Sequence, residues 1–358
     1  MGVRMTASEN TTTGFRVAPV PIQWHEDLPI YSSDRFLKTT AKEFGWLGGF
    51  DVSGQLRCYV AYTVLRKATV RMVRFRAETT SLAGQLDLQE EVAFLNGVVE
   101  YLRAHRADII IPSGNTAIFR TCPDGALSAP YGTFINDLSK PEEVLSKDIR
   151  KTFRQNIRKA ATEGVEIKSG SEYADIAYDL VAETLNRSKV EFKSRAEFNR
   201  LLSELGPNVK IFVAQHKGVV QACMVAPFSR YCAHNCYAGT RSEPVLGAMH
   251  MLHWEAMRDF RSMGVRRFDF QGVRIDPEKG SKQEGIANYK RGFGGELVKG
   301  FAWRYPLHPL KSKVYTLAIR WKGGDIVDQE RHKLASTASQ PAPDGKNLEV
   351  SESVSVRN

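Results

Sequence analysis

One order of elements can be traced twice along this chain, and it limits the fold more than any single motif does. In the first half a helical pattern at 33–44, begun by Ser33 or Asp34, precedes strand-like runs at 46–52, 57–65 and 69–75. An amphipathic helix at 88–105 and a short apolar strand at 108–111 follow. The order then returns. Helices at 173–188 and 195–205 lead into strands at 209–215, 219–228 and 231–238, and a long helix at 246–263 closes at Gly264. Short strands at 266–270 and 296–305 complete the second pass. Three antiparallel strands, a long helix and a further strand predict a mixed sheet with one parallel crossover in each half. The expected class is therefore α+β, with mixed central sheets flanked by helices, occurring twice in tandem.

A chain of 358 residues suits two units of that size. We place them at 15–140 and 141–322, with a last helix at 311–321. Residues 1–14 are expected to be a disordered N-terminus and 323–358 a disordered polar tail. The net charge of +10 favours an anionic partner such as nucleic acid, a phosphorylated small molecule or an anionic membrane surface. Five cysteines without a CxxC pair fit reduced thiols. The first twenty residues lack an apolar signal region, and no run of about 18 apolar residues could span a bilayer. The expected location is cytoplasmic, with any membrane contact peripheral.

The stretch KDIRKTFRQNIRKAATEGVEI, residues 147–167, reads as one helix turning at Gly164. Lys147, Arg150, Lys151, Arg154 and Arg158 recur at helical spacing as a basic stripe, beside an apolar stripe of Ile149, Phe153, Ile157, Ala160 and Ala161. Asp148 is the only acid before Glu163, so the cations lack i,i+4 partners. Arg150, Arg154 and Arg158 are thus candidates for binding an anion. The competing reading is a solvated surface helix.

Other candidates lie nearer the C-terminus. In NYKRGFGGELV, residues 288–298, three glycines around Phe293 let the backbone approach a ligand, with Lys290 and Arg291 beside them. A turn into the last strand explains the same residues. RRFDFQGV, residues 266–273, ends a strand on Asp269 and Gly272, where ligands gather in α/β sheets. The alternative is that Asp269 pairs with Arg266 or Arg267. Arg241, Gly247 and Ala248 lie at a strand–helix junction whose amides would bind an anion, at a spacing that weakens any coenzyme A signal. Cys232, His234, Cys236, His250 and His253 have no standard metal spacing and read as packing, leaving no metal site and His234 as a minor general-base candidate. Nucleotide-loop and GxSxG motifs are absent.

Three segments together carry a family resemblance. The basic stretch 147–167 is similar to the RxxIRKAxxxGV helix of the Fem-type aminoacyltransferases and their GNAT-like relatives. The passage 249–272, ending in FDFQG, resembles their helix–G–xxYDFxG run, and YKRGFGGEL at 289–297 resembles FKxxFGGE. The resemblance runs from about residue 33 to about 305 and implies two GNAT-like domains. It also implies an amide-forming enzyme in which an amine attacks the ester carbonyl of an aminoacyl-tRNA. No permanently bound cofactor is implied, only a donor co-substrate, aminoacyl-tRNA or alternatively acyl-CoA. In cell-wall members of the family the acceptor is a nucleotide- or lipid-linked sugar peptide. Lys290 falls on the family's signature lysine, which would stabilise the oxyanion, and Tyr289 would position the donor by stacking on its terminal adenine. Asp269 would orient or deprotonate the acceptor amine, and the arginine stripe would meet phosphates. Tyr289 replaces the usual Phe, and the family's coiled-coil arm is reduced to a short connection near 191–198. Two alternatives remain on the same fold: an acyl-CoA-dependent N-acyltransferase acting on an amino sugar or small amine, and a non-catalytic RNA- or anionic-lipid-binding protein.

Overall fold

Each half is built around one parallel strand pair bridged by a long helix. The structure, a computed structural model, describes residues 14–321 and 323–338. In the first half β1 (Arg16–Pro19) and α1 (Asp34–Thr40) precede β2 (Glu43–Phe50), β3 (Leu56–Lys67), β4 (Val70–Phe75) and the two-residue β5 (Thr80–Ser81). Then α2 (Leu88–Ala104), capped at Asp87 by a reciprocal bond pair with Glu90, carries the chain to β6 (Ile109–Ile111), which lies parallel to β4. The long β7 (Leu127–Asp137) ends this half.

The second half begins with α3 (Glu142–Asp148), α4 (Lys151–Thr162), β8 (Val165–Ser169), α5 (Ala174–Arg187) and α6 (Arg195–Leu205). The antiparallel β9 (Val209–His216) and β10 (Val219–Pro227) follow, then β11 (Ala233–His234) and β12 (Tyr237–Thr240). Next come α7 (Ala248–Ser262), β13 (Arg267–Asp269), α8 (Lys282–Arg291), β14 (Glu296–Pro306), α9 (Pro309–Arg320) and α10 (Ile326–Ala338). Here the parallel pair is β11 with β13.

Where the sequence predicts one strand at 231–238, the chain changes partners halfway. β11 joins β13, whereas β12 pairs with β10 in a separate sheet of order β12-β10-β9-β8. The splay falls at Asn235 and Cys236, directly behind Asp269. The larger sheet runs β1-β2-β3-β4-β6-β14-β7-β13-β11, with β5 beside β3. β14 lies between β6 and β7, and its Trp303 packs in the first-half core with Phe75, Phe119 and α2. The second core gathers α4, α7, β9, β10 and the aromatic residues Phe268, Phe270 and Phe293. The N-terminal segment laces the halves together. Glu26 accepts from Asn208 Nδ2 (2.9 Å), Leu28 O accepts from Ser229 Oγ (2.8 Å), and the Tyr31 hydroxyl accepts from Gln271 Nε2.

Two further expected features differ. The basic stretch is not one helix, because α3 stops at Asp148 and Ile149 turns extended with its side chain in the core. The Arg150 amide then donates to Gly292 O (2.8 Å), so the chain leaves helical geometry to meet the glycine-rich loop. From residue 323 a disordered tail is expected, yet 326–338 form α10. Buried Val327 anchors it, and Asp325 Oδ1 caps the first turn by accepting from the Asp328 amide (3.0 Å). The remainder of that expected tail, 339–358, and residues 1–13 of the expected N-terminus lie outside the described residues.

Candidate active site

A cleft of about 770 Å³ opens between the segment after β4 and the faces of β7, β13 and β14. Its lining holds five carboxylates (Glu78, Glu91, Asp137, Asp269 and Glu296) against two arginines, Arg120 and Arg267. Glu91 is occupied by Arg120 at 2.7 Å, and Asp137 accepts from the turn at Ser139. In a protein of net charge +10 this is an acidic interior, suited to a cationic group such as an ammonium.

Asp269 ends β13 on the cleft wall. Its Oδ1 accepts from Thr133 Oγ1 and from the Gln271 amide (2.6 Å), and its Oδ2 lies 3.3 Å from His234 Nδ1. It pairs with neither neighbouring arginine, since Arg266 reaches Asp27 and Arg267 bonds the Tyr231 hydroxyl. His234 is buried on β11 with Tyr31 at 4.4 Å over its ring, and neither ring nitrogen has a hydrogen-bond partner of good geometry. Burial alone would hold His234 neutral, but Cys232 and Asp269 beside it raise its pKa well above the ordinary histidine value. Across the cleft Glu78 accepts from the Tyr231 hydroxyl (3.2 Å), and burial raises its pKa above the usual glutamate range. Glu78 is a cleft-lining residue that the sequence reading does not single out. A single acid after a strand has no periodicity, and only the polar cluster Glu78–Ser81 hinted at a loop end.

The family-derived residues occupy other places. α8, where the sequence reading has only a turn into the last strand at 288–298, is a helix capped by Ser281, whose Oγ accepts from the Glu284 amide (3.2 Å); the Ser-x-x-Glu spacing is the available signal. On it Lys290 does not line the cleft. Its ammonium donates to Gln271 O and to Gly272 O (2.8 Å), clamping the turn that follows Asp269, where Gln271 takes φ +58°. Burial lowers the Lys290 pKa to about 8, against the partly offsetting charge of Asp269. Gly272 is enclosed: a Cβ there would lie 2.3 Å from Asn115 Oδ1.

Phe293 is a core residue and Tyr289 packs half-buried against the same core, away from the cleft lining. Phe293 is 0% exposed, and Tyr289 packs with Phe153, His250 and Phe293. The Tyr289 hydroxyl meets His253 Nδ1 at 3.1 Å. His253 Nε2 accepts from Asn235 (3.0 Å), so Nδ1–H faces Met249 O and that hydroxyl. Burial pushes His253 down to about 3 and keeps it neutral. The loop glycines admit protein rather than ligand. A Cβ on Gly292 would lie 2.2 Å from the Phe153 ring, and one on Gly294 2.6 Å from Asp148 O.

Arg154 donates from Nη1 to the carbonyls of Ser146 (3.3 Å), Lys147 (2.6 Å) and Ile149 (2.9 Å), closing the end of α3. Arg150 stacks over Phe153 at 5.4 Å, and Arg158 is exposed on α4. Arg291 bonds Asn288, and Arg241 bonds Val220 O (2.6 Å) at the edge of the smaller sheet. The structure therefore does not bring these cations together with the cleft as one stripe. Among the described residues no group of three or more His, Cys, Asp or Glu is placed to hold a metal ion, and no helix is long and apolar enough to cross a membrane.

Residues 147–291 match a family model described as an acetyltransferase (GNAT) domain. No curated protein sequence matches the chain. Among solved structures, a crystal structure of FemX aligns with TM-score 0.59 at 12% identity, covering 80% of this chain and 93% of that one. The C-terminal domain of a putative lysylphosphatidylglycerol synthetase from Agrobacterium fabrum aligns at 14% identity and TM-score 0.47, covering 73% and 83%. Residues 147–291 are thus those of an acetyltransferase (GNAT) domain, and over most of its length the chain shares the fold of FemX.

Proposed function

We propose that the protein transfers an aminoacyl group from aminoacyl-tRNA to a primary amine held in the acidic cleft, on a phosphate-bearing or sugar-peptide acceptor. The observation that carries this reading is the pair of carboxylates facing one cleft in different environments. Asp269 has Oδ1 held by two hydrogen bonds and Oδ2 left to orient an ammonium, whereas half-buried Glu78 is poised to take its proton. The freed amine attacks the ester carbonyl, the C–N bond forms, and the ester C–O bond to the tRNA ribose breaks. The proton received by Glu78 then passes to the leaving ribose oxygen, and Glu78 takes the second proton from the new amide nitrogen and releases it to water. Lys290 acts one step removed, fixing the turn that aims Asp269. Arg158 and Lys151, exposed on α4, are the cations left for phosphates of the donor or acceptor.

The donor assignment has separate support. In GNAT enzymes a pyrophosphate is held at the helix end that corresponds to the start of α7. Here Gly247 packs so closely under α4 that a Cβ on it would lie 2.1 Å from Asn156 O. A carbonyl oxygen at that end disfavours an anion. The match to an acetyltransferase domain model favours the competing reading, an acyl-CoA donor. Mass spectrometry of products formed with mixed amines and either a charged tRNA pool or acyl-CoA separates the two. An acylated amine that appears only with charged tRNA is the expected result. Product from acyl-CoA alone overturns the donor assignment, and no product from either donor overturns the reading as a whole.

A further inference from the structure

α9 carries an apolar stripe on its outer face. Leu310, Val314, Leu317 and Trp321 follow one another at i, i+4, i+7 and i+11 and are 70%, 61%, 69% and 91% exposed. Large side chains left this open on one helix face call for an occupant. The opposite face is fixed to the body. Ser312 Oγ donates to Asp108 O (2.9 Å), Lys311 pairs with Asp108 (3.0 Å), and Tyr315 packs on Met72, Ile109 and Ile111. The stripe therefore faces outward because the helix is anchored, not because it has come loose.

The charge around the stripe selects among occupants. Residues 309–322 carry Lys311, Lys313, Arg320 and Lys322 and no acid. The next acids, Asp325 and Asp328, are turned inward onto Arg304. Lys67 lies exposed at the tip of the β3–β4 hairpin, whose Leu65 and Val70 pack with Tyr315. Apolar residues along the middle, lysines at the flanks and a terminal tryptophan are the pattern of a helix lying in the headgroup region of a bilayer. At 12 residues α9 is about 18 Å long, too short to span and long enough to lie flat.

We propose that α9 docks the protein on anionic lipid membranes, with Leu310, Val314, Leu317 and Trp321 entering the acyl boundary and Lys313 facing lipid phosphates. The proposal does not depend on the donor or acceptor of the acyl transfer. The test is flotation of the full chain with vesicles of phosphatidylcholine alone or mixed with phosphatidylglycerol, alongside the triple variant L310S/L317S/W321S and K313E. Binding is expected to the mixed vesicles and to weaken with salt. The triple variant should lose at least about tenfold in affinity, while its thermal melting and its turnover of soluble substrates stay unchanged. K313E should weaken binding to anionic vesicles only. Equal binding by wild type and triple variant overturns the proposal, as does failure of the wild type to float. A dimer that the triple variant abolishes, without vesicle binding, would assign the face to a second copy instead.

Discussion

Asp269 and Glu78 face the same cleft, but their surroundings set them different tasks. The bonds from Thr133 and Gln271 fix the Asp269 carboxylate in place, while burial raises the Glu78 pKa above the usual glutamate range. Because a base works only above its own pKa, kcat/KM should fall on the acid side at a higher pH than an ordinary glutamate would give. Glu78→Gln should remove that limb and lower kcat by about 10²–10⁴-fold. Stability should move the other way. A glutamate with a raised folded pKa costs stability above its unfolded pKa, so the glutamine variant should be as stable as wild type or more so at neutral pH. An acid limb unchanged in E78Q would remove Glu78 from the mechanism. Lys290 has the opposite sign of linkage. Its folded pKa of about 8 lies below the free value of 10.5, so the unfolded chain binds more protons between those limits and stability rises with pH there. Lys290→Met should abolish that rise in urea midpoints and lower kcat by loosening Asp269. A variant that keeps the slope would show that Lys290 is solvated.

At the scale of elements, the break between α3 and α4 is a joint made by residues far apart in sequence. Gly292 and Gly294 give close approach to Phe153 and Asp148, the Arg150 amide reaches Gly292 O, and Arg154 closes the preceding helix. Gly294 has φ +77° and backbone atoms of Asp148 on its open side. Gly294→Ala therefore has no cheap relaxation and should cost about 1–3 kcal/mol in denaturant unfolding. A change under about 0.5 kcal/mol would mean that the joint yields. Arg154→Ala should cost a similar amount, on the order of 1–3 kcal/mol, by leaving three carbonyls without their donor. This joint explains what the sequence could and could not disclose. The caps of α2 and α6 and the alternating strands are local signals, and they identify the elements well. The basic stripe is equally local and misleads, because the break at Ile149 is imposed by a loop more than 140 residues away. Tyr289 and Phe293 look like ligand contacts for the same reason. Composition cannot say whether glycines make room for a substrate or for Phe153.

Across the whole molecule, β14 is the member through which distant parts hold together. It pairs with β7 along most of its length and with β6 at its end, so the last strand among the described residues joins sheet segments formed early. Such pairings between distant segments leave no trace in local periodicity, which is why the order of elements predicts two sheets but not the strand between them. The same strand carries Arg304, 2% exposed, which grips α10 through Asp325 (2.9 Å) and Asp328 (2.7 Å). The bond from Arg304 holds the Asp328 carboxyl below its ordinary range. A depressed folded pKa gives stability that is complete at neutral pH and lost as pH falls through the lowered value. Arg304→Met leaves two mostly buried carboxylates without their cation, a loss of about 3–5 kcal/mol. Amide exchange in α10 should then speed up strongly at pH 7 while β3 and β4 keep their protection. In wild type the same release should appear only on acidification. If R304M leaves α10 as protected as wild type, Val327 packing rather than the ion pairs holds this end of the chain.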